Sequence, residues 1–182
     1  MCKPEQRAKV TDVLQKLSGG DRRSIGRSDE VVTQVLADLA LFEAVFQGIF
    51  SDDSLVRMRA ADVCEKVSAA HPECLRPLKK ALLGPVAAIE QQEVRWHVAQ
   101  ILPRLELNNV ERAQAVQILV GYLDDRSKIV KTFSMQALAN LAVEDARFRP
   151  QVTALIQELV RTGSPAMQSR GRKLLAILKG GK

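Results

Sequence analysis

The chain has 182 residues, of which 46% are hydrophobic and only 4% aromatic, and a formal net charge of +6. Its length allows a continuous buried core, and its Leu-, Val- and Ala-rich composition argues against a β-sheet, which favours β-branched and aromatic residues. Three cysteines are an odd number without paired spacing, so we expect reduced thiols and a cytoplasmic location. We expect neither a signal peptide nor a membrane anchor, because no apolar stretch is suitably placed or long enough.

About ten helices are predicted, joined by short connections apart from residues 19–27. Pro4 to Leu17 is the first, ended by Ser18-Gly19-Gly20, and Ser28 is expected to cap the second. Pro103 should kink the helix that contains it, because proline removes one backbone hydrogen bond. The remaining helical runs are expected over residues 41–50, 54–70, 71–84, 91–107, 108–123, 124–143, 150–160 and 164–179.

A fixed spacing runs through most of these helices. The pairs Val56-Arg57, Val94-Arg95, Val130-Lys131 and Met167-Gln168 recur every 36 to 38 residues, and apolar residues follow each pair at the same offsets. Such a period is the sequence signature of stacked repeats, in which each repeat buries its apolar face against its neighbours.

The repeat resembles the HEAT-repeat family over roughly residues 40–178. The matching features are an Asp-rich turn, a Val-Arg pair and an Ala-rich continuation, seen best in Asp52-Asp53-Ser54, Val56-Arg57 and Ala60-Ala61. The resemblance implies an all-α fold, a right-handed α-α superhelix in the form of a short HEAT-type solenoid. It also implies a ladder of charged residues that links neighbouring repeats: Asp53, Arg57, Glu93, Arg95, Asp125 and Lys131.

We expect a single α-solenoid domain over residues 1–182. Within it, residues 1–39 are predicted to form an N-terminal helical cap that carries a basic loop at 19–27. Residues 40–178 are predicted to form the HEAT-like repeats, and residues 179–182 a flexible basic tail.

Basic residues are concentrated at the two ends of the chain. Residues 161–182 contain six basic side chains and no acidic one, whereas the centre of the chain is mildly acidic. The loop at 19–27 fails as a phosphate loop, because its glycine spacing is too long and no strand precedes it. Basic side chains still predict binding of acidic or phosphorylated partners, and weak, nonspecific nucleic-acid binding at the C-terminal end. The residues of these two anion-binding patches are Arg22, Arg23, Arg27, Arg170, Arg172 and Lys173.

The face of each second helix opposite the core predicts the partner-binding residues. At 100° per residue, these positions lie away from the apolar stripe, and in a HEAT stack they line the concave surface. They are Met58, Arg59, Trp96, His97, Gln100, Phe133 and Gln136. Trp96 is the single tryptophan and the expected hot spot, unless it is partly buried between repeats. We expect His97 to be a surface side chain, because no acid or nucleophile is evident as its catalytic partner.

These features favour a non-enzymatic scaffold or adaptor, expected to be a monomer, that binds a partner protein on its concave face. We predict no catalytic residue, cofactor or small-molecule substrate, and no metal, since Cys64, His71 and Cys74 lack a fourth ligand nearby. The alternative is a nucleic-acid-binding protein related to the HEAT-like DNA alkylation repair glycosylases, in which Trp96 and Asp62 would act together. A third reading is a lyase-type chaperone or maturation factor, whose repeats are usually shorter.

Overall fold

The computed structural model describes residues 4–21 and 24–180, with side chains from residue 7 onwards, and these residues contain ten α-helices and no β-strand. The helices are α1 (Pro4–Leu17), α2 (Ser28–Ala37), α3 (Phe42–Gln47), α4 (Ser54–Ala70), α5 (Lys79–Leu82), α6 (Gln92–Ile101), α7 (Asn109–Tyr122), α8 (Lys128–Glu144), α9 (Arg149–Thr162) and α10 (Pro165–Gly180). The predicted all-α fold is confirmed. In the part of the chain described, no helix is long and apolar enough to cross a membrane.

Local sequence signals explain where α4 and α7 begin. The Asp53 carboxylate accepts a hydrogen bond from the Leu55 amide at 2.8 Å and so caps α4. Asn108 and Glu111 form a capping box at the start of α7, which satisfies backbone amides that have no partner within the helix. Ser28, in contrast, is the first residue of α2 and not its cap, because its hydroxyl donates to the Ile25 carbonyl at 2.6 Å.

Pro103 ends α6 and does not kink a longer helix. The α-helix stops at Ile101, and residues Leu102–Arg104 form a single 3-10 turn. Leu105 then adopts an extended conformation with ψ of 139°. The helix predicted over 91–107 is therefore too long at its C-terminal end, because the missing amide of proline and its ring do not permit the next α-helical turn.

The chain divides into two compact units, residues 1–105 and 106–182. In the first unit, α4 is central and packs against α1, α2, α3 and α6, with Val63, Cys64 and Val67 fully buried. In the second unit, α8 packs against α7, α9 and α10, and Leu138 is fully buried. The single domain expected over residues 1–182 stays a prediction.

One link between successive helices involves Arg57, as the charge ladder predicts, but its partner is not an acid. Its Nε donates to Gln91 Oε1 at 2.8 Å, and its Nη1 donates to the Ser51 carbonyl at 2.7 Å. Gln91 completes the link by donating to the Ser54 carbonyl at 2.9 Å. The basic residue of the repeat therefore ties the turn before α4 to the residue before α6 through neutral acceptors, while Asp53 serves as a helix cap.

The end of the chain is more helical than the sequence predicts. Lys179 and Gly180 belong to α10, so the first half of the tail expected at 179–182 is the last turn of a helix. Residues 181 and 182 lie outside the described residues.

Candidate functional site

Arg59 is the largest fully buried side chain of the chain's described part, with 1% of its surface exposed. Its guanidinium donates to the carbonyls of Leu17 at 2.9 Å, Gly19 at 2.6 Å and Ser24 at 3.2 Å. It also donates to the Asp21 carbonyl at 3.2 Å. The predicted exposure of Arg59 on a partner-binding face is wrong, because the loop between α1 and α2 folds over this side chain.

Glycines allow the loop to close around the guanidinium. Gly19, Gly20 and Gly26 have φ of 70°, 83° and 58°, in the left-handed region that residues with a Cβ atom rarely occupy. At Gly26 a Cβ atom would also lie only 2.8 Å from Arg59 Cζ. The described parts of this loop, residues 19–21 and 24–27, are therefore held around one buried arginine of α4.

A cavity of about 270 Å³ lies beside this loop in the first unit. Its walls come from the loop, α4 and the start of α6, so the structure brings together four of the predicted partner-binding residues. The lining residues are Ser24, Ile25, Met58, Arg59, Asp62, Glu93, Trp96 and His97. We call it the Trp96 cavity. Trp96 is half-buried in its wall, Met58 is 9% exposed, and Ile25 is 46% exposed.

His97 is buried in the wall of the Trp96 cavity, so the prediction of a surface side chain is wrong. Only 8% of the residue is exposed, and its ring meets the Trp96 ring edge-on with centroids 5.5 Å apart. Its Nδ1 has no hydrogen-bond partner among the described residues. Burial lowers the pKa of His97 to about 4, against a smaller raising effect from Glu65. The imidazole is therefore neutral at pH 7.

Asp62 connects the cavity to a small charged network. Its Oδ2 accepts from Lys66 Nζ at 2.9 Å, and the same ammonium bonds Asp29 Oδ1 at 2.8 Å. Its Oδ1 lies 4.0 Å from His97 Nε2, which is too long for a direct hydrogen bond. Helical angles place Asp62 on the same outward face as Met58, and the nucleic-acid alternative names it with Trp96, although it is not among the predicted partner-binding residues.

The described residues do not pair His97 with an acid or a nucleophile at hydrogen-bond distance. General base catalysis needs a base within hydrogen-bond reach of the group that it deprotonates. Within the described part of the chain, His97 Nδ1 has no such neighbour, and its Nε2 is too far from Asp62 for a hydrogen bond. The nearby Ser24 hydroxyl instead accepts from the Gly26 amide at 3.0 Å.

A second cavity, of about 580 Å³, shares Ser24 and Arg59 with the first and lies at the predicted basic loop. Arg27 lines it, but its guanidinium forms a bidentate pair with Glu30, at 2.9 and 2.8 Å. Lys16 is paired with Asp12 at 2.5 Å. Arg22 and Arg23 lie outside the described residues, so the predicted anion patch of this loop stays a prediction.

The other predicted site residues lie on helical surfaces. Gln100 donates to the Trp96 carbonyl at 3.2 Å within α6. In the second unit, Phe133 is half-buried, and Gln136 donates to Asn140 at 3.0 Å and accepts from Arg170 at 3.0 Å. Three basic residues of α10 are exposed, as the C-terminal patch requires: Arg170, Arg172 and Lys173.

The described cysteines do not form a metal site. Cys64 is fully buried, and burial raises the pKa of its thiol strongly. His71 Nδ1 lies 2.9 Å from Glu73 Oε1. Over residues 4–21 and 24–180, no group of three or more His, Cys, Asp or Glu side chains is placed to hold a metal ion.

Comparisons with known proteins identify the family. A family model for the HEAT repeat domain matches residues 15–173, which include all four copies of the spaced pair. No curated protein matches the chain. A crystal structure of an engineered protein matches with a TM-score of 0.63 and 18% sequence identity, covering 97% of this chain and 82% of that chain. At this identity the likeness shows the fold alone, and the family match carries the conclusion that the chain belongs to the HEAT-repeat family.

Proposed function

We propose that this helical-repeat protein is a non-enzymatic scaffold or adaptor, and that the Trp96 cavity of the first unit is where it holds a partner protein. HEAT-repeat proteins are typically non-catalytic. The observation that carries the proposal is the half-buried Trp96 in the wall of an open cavity, next to Ile25, which is 46% exposed. Tryptophan is among the residue types enriched in interface hot spots, which cluster in well-packed pockets that the partner covers.

The shape of the site favours a protein partner. Loop residues Ser24 and Ile25 form one wall of the cavity, and α4 and α6, which pack on each other, form the rest. Walls made of packed helices need little ordering on binding. Apolar side chains of Ile25, Met58 and Trp96 supply contact area, while Asp62 and Glu93 supply charge for orientation. These two carboxylates would repel the phosphates of a nucleic acid. Proteins that bind nucleic acid gain much of their affinity from basic residues that neutralise these phosphates.

The remaining predicted contacts form a second part of the proposal. Gln100 lies one helical turn from Trp96 on α6. Phe133 and Gln136 lie on α8 in the second unit. We propose that these residues contribute to the same interaction and that each unit makes its own contacts.

The test is recovery of bound proteins from the native host with the unmodified chain and with Trp96→Ala. We expect the substitution to weaken partner binding by about 2 kcal/mol or more, the usual threshold for a hot spot. Phe50→Ala is the matched control, because Phe50 is an aromatic residue of the first unit that is 43% exposed and lies outside the cavity lining.

A second variant separates a binding effect from unfolding. Ile25→Lys replaces an apolar contact by a positive charge on an exposed loop residue of the cavity and should also weaken the interaction, with the helical circular dichroism signal unchanged. If both variants retain the partner at the affinity of the unmodified chain, the proposed site is wrong. Partner recovery that consists of nucleic acid rather than protein would favour the DNA-repair alternative.

A further inference from the structure

We infer that the Trp96 cavity is a receptor for a cationic side chain, an arginine of the partner protein. The inference rests on the proposed function and specifies the chemistry of that site. It depends on three features of the cavity: an acceptor without a donor, an apolar wall of suitable type, and a local balance of charge that favours a cation.

The first feature is unused hydrogen-bonding capacity. Asp62 Oδ2 accepts a hydrogen bond from Lys66, but Asp62 Oδ1 accepts none from any described residue. The nearest polar atom, His97 Nε2, is 4.0 Å away, and the side chain of Asp62 is 12% exposed. His97 itself is nine-tenths buried and keeps an unpartnered Nδ1. A donor that enters the cavity would supply the hydrogen bond that Asp62 Oδ1 lacks.

The second feature is the apolar wall. Trp96, Met58 and Ile25 line the same cavity as Asp62, so an aliphatic stem can lie on apolar surface while its polar head reaches the carboxylate. A guanidinium is planar, stacks on aromatic faces and donates several hydrogen bonds in a fixed fork. Arginine therefore matches both the tryptophan and the carboxylate better than a lysine ammonium does.

The third feature is charge. Among the described residues, two carboxylates, Asp62 and Glu93, and one cation, Arg59, line the cavity. The guanidinium of Arg59 donates to loop carbonyls, whose oxygens carry partial negative charge facing it. The Lys66 ammonium, whose side chain is 35% exposed, bonds Asp62 Oδ2 and also Asp29. Asp29 therefore balances most of the positive charge of Lys66. Asp62 Oδ1, which no described residue bonds, thus favours a cationic donor over a phosphate or carboxylate ligand.

The experiment uses the whole chain and two small probes of nearly the same shape, one cationic and one neutral. N-acetyl-arginine amide is titrated against N-acetyl-citrulline amide, its neutral isostere, and binding is followed by the fluorescence of Trp96, the chain's single tryptophan. We expect the arginine probe to change the Trp96 signal saturably and to bind at least about tenfold more tightly than citrulline, the worth of one charge-assisted hydrogen bond. Equal affinity of the two probes would overturn the inference, and so would no response to either probe.

Two variants then assign the effect to the carboxylate. Asp62→Asn should remove the preference for arginine over citrulline, and the matched control Asp52→Asn, on an exposed turn outside the cavity lining, should keep it. A preference that survives Asp62→Asn would overturn the role of this residue. If a recovered partner is lost with Trp96→Ala but neither probe binds, the proposed function stands and the arginine inference fails.

Discussion

Arg59 in the first unit and Phe133 in the second occupy the same position of the repeat, three residues after Val56 and Val130. Arg59 is 1% exposed, whereas Phe133 is half-buried and Arg170, at the equivalent position of α10, is exposed. The repeat position alone therefore does not determine burial. In the first unit, the loop between α1 and α2 lies outside the repeat and covers the outer face of α4. Arg59 is buried because of this loop.

The two units also differ in how their interiors are built. Five of the six buried polar or charged residues belong to the first unit: Ser28, Arg59, Asp62, Ser68 and His97. In the second unit Ser134 is the buried polar residue found, and the interior is otherwise made of apolar side chains such as Val130, Leu138 and Leu141. We therefore expect the stability of the first unit to depend on its buried polar residues. The stability of the second unit should depend mainly on its large apolar side chains.

The largest effect is expected for Arg59→Ala. This change leaves four backbone carbonyls, one at the end of α1 and three in the loop, without their donor and opens a cavity, so the free energy of unfolding of the first unit should fall by about 3–5 kcal/mol. Chemical denaturation followed by Trp96 fluorescence measures the loss. Hydrogen exchange of residues 18–28 should rise at the same time.

Arg170→Ala provides the control for Arg59→Ala, because Arg170 occupies the equivalent repeat position but is exposed. Its cost should stay within about 0.5 kcal/mol, as for other surface substitutions. Similar costs for the two substitutions would contradict the view that the loop, and not the repeat position, determines the importance of Arg59.

Leu138→Ala tests the apolar interior of the second unit. Leu138 is fully buried on α8, so truncation should lower the free energy of unfolding by about 2–5 kcal/mol. Hydrogen exchange resolved by peptide should locate the loss in residues 106–182. A cost near zero would mean that the repeat register is wrong at this helix.

His97 should make the first unit sensitive to mild acid. Its pKa falls from an ordinary 6.5 to about 4 in the folded chain, so the unfolded state binds more protons between these values. This contribution to stability is complete above pH 6.5 and is lost as the pH falls towards 4, by about 3 kcal/mol in total.

Comparison of variants isolates this contribution. His97→Gln should flatten the stability of the first unit between pH 6.5 and 4, measured by denaturation monitored at Trp96. Asp145 in the second unit acts in a different range, because its hydrogen bond with Arg147 lowers its pKa to about 2 and its contribution is lost only below pH 4. An unchanged acid profile in His97→Gln would contradict the assignment to His97.

The smallest effect is expected for nucleic-acid binding by the second unit. Neutralising Arg170, Arg172 and Lys173 should abolish weak, nonspecific binding and lower the salt dependence by roughly one unit of slope per lost phosphate contact. Fluorescence anisotropy with a labelled duplex at several salt concentrations measures this. Tight binding that persists, or excision of an alkylated base, would instead favour the repair-enzyme alternative.

The helices could be predicted from sequence because their signals are local. Pro4–Leu17 and Ser54–Ala70 match the predicted helices, since caps, prolines and apolar spacing lie within a few residues of each boundary. Pro103 has a larger effect than the sequence predicts, because a kink and a helix end share the same local sequence signal: α6 ends at Ile101, and Pro103 lies in the 3-10 turn that follows.

The candidate site was predictable only in part. Helical angles placed Met58, Arg59, Trp96 and His97 on one face, and the structure brings these four together around one cavity. They did not predict that Arg59 and His97 are buried, because the cover comes from a loop 35 to 42 residues away in sequence from Arg59. Arg59 donates to backbone carbonyls, which every residue has, so no acidic partner in the sequence indicates this contact. The three glycines of the loop were the available sign, because they allow the positive φ values found there.

The dependence of this loop on Arg59 has a consequence for biosynthesis. A ribosome releases the N-terminal residues first, so the loop emerges before the arginine that donates to its carbonyls has been synthesised. We expect the nascent loop to remain unfolded until α4 has emerged, and the wall of the Trp96 cavity to be completed only then. A chain truncated before Arg59 should therefore expose residues 18–28 to protease, even where α1 has already formed.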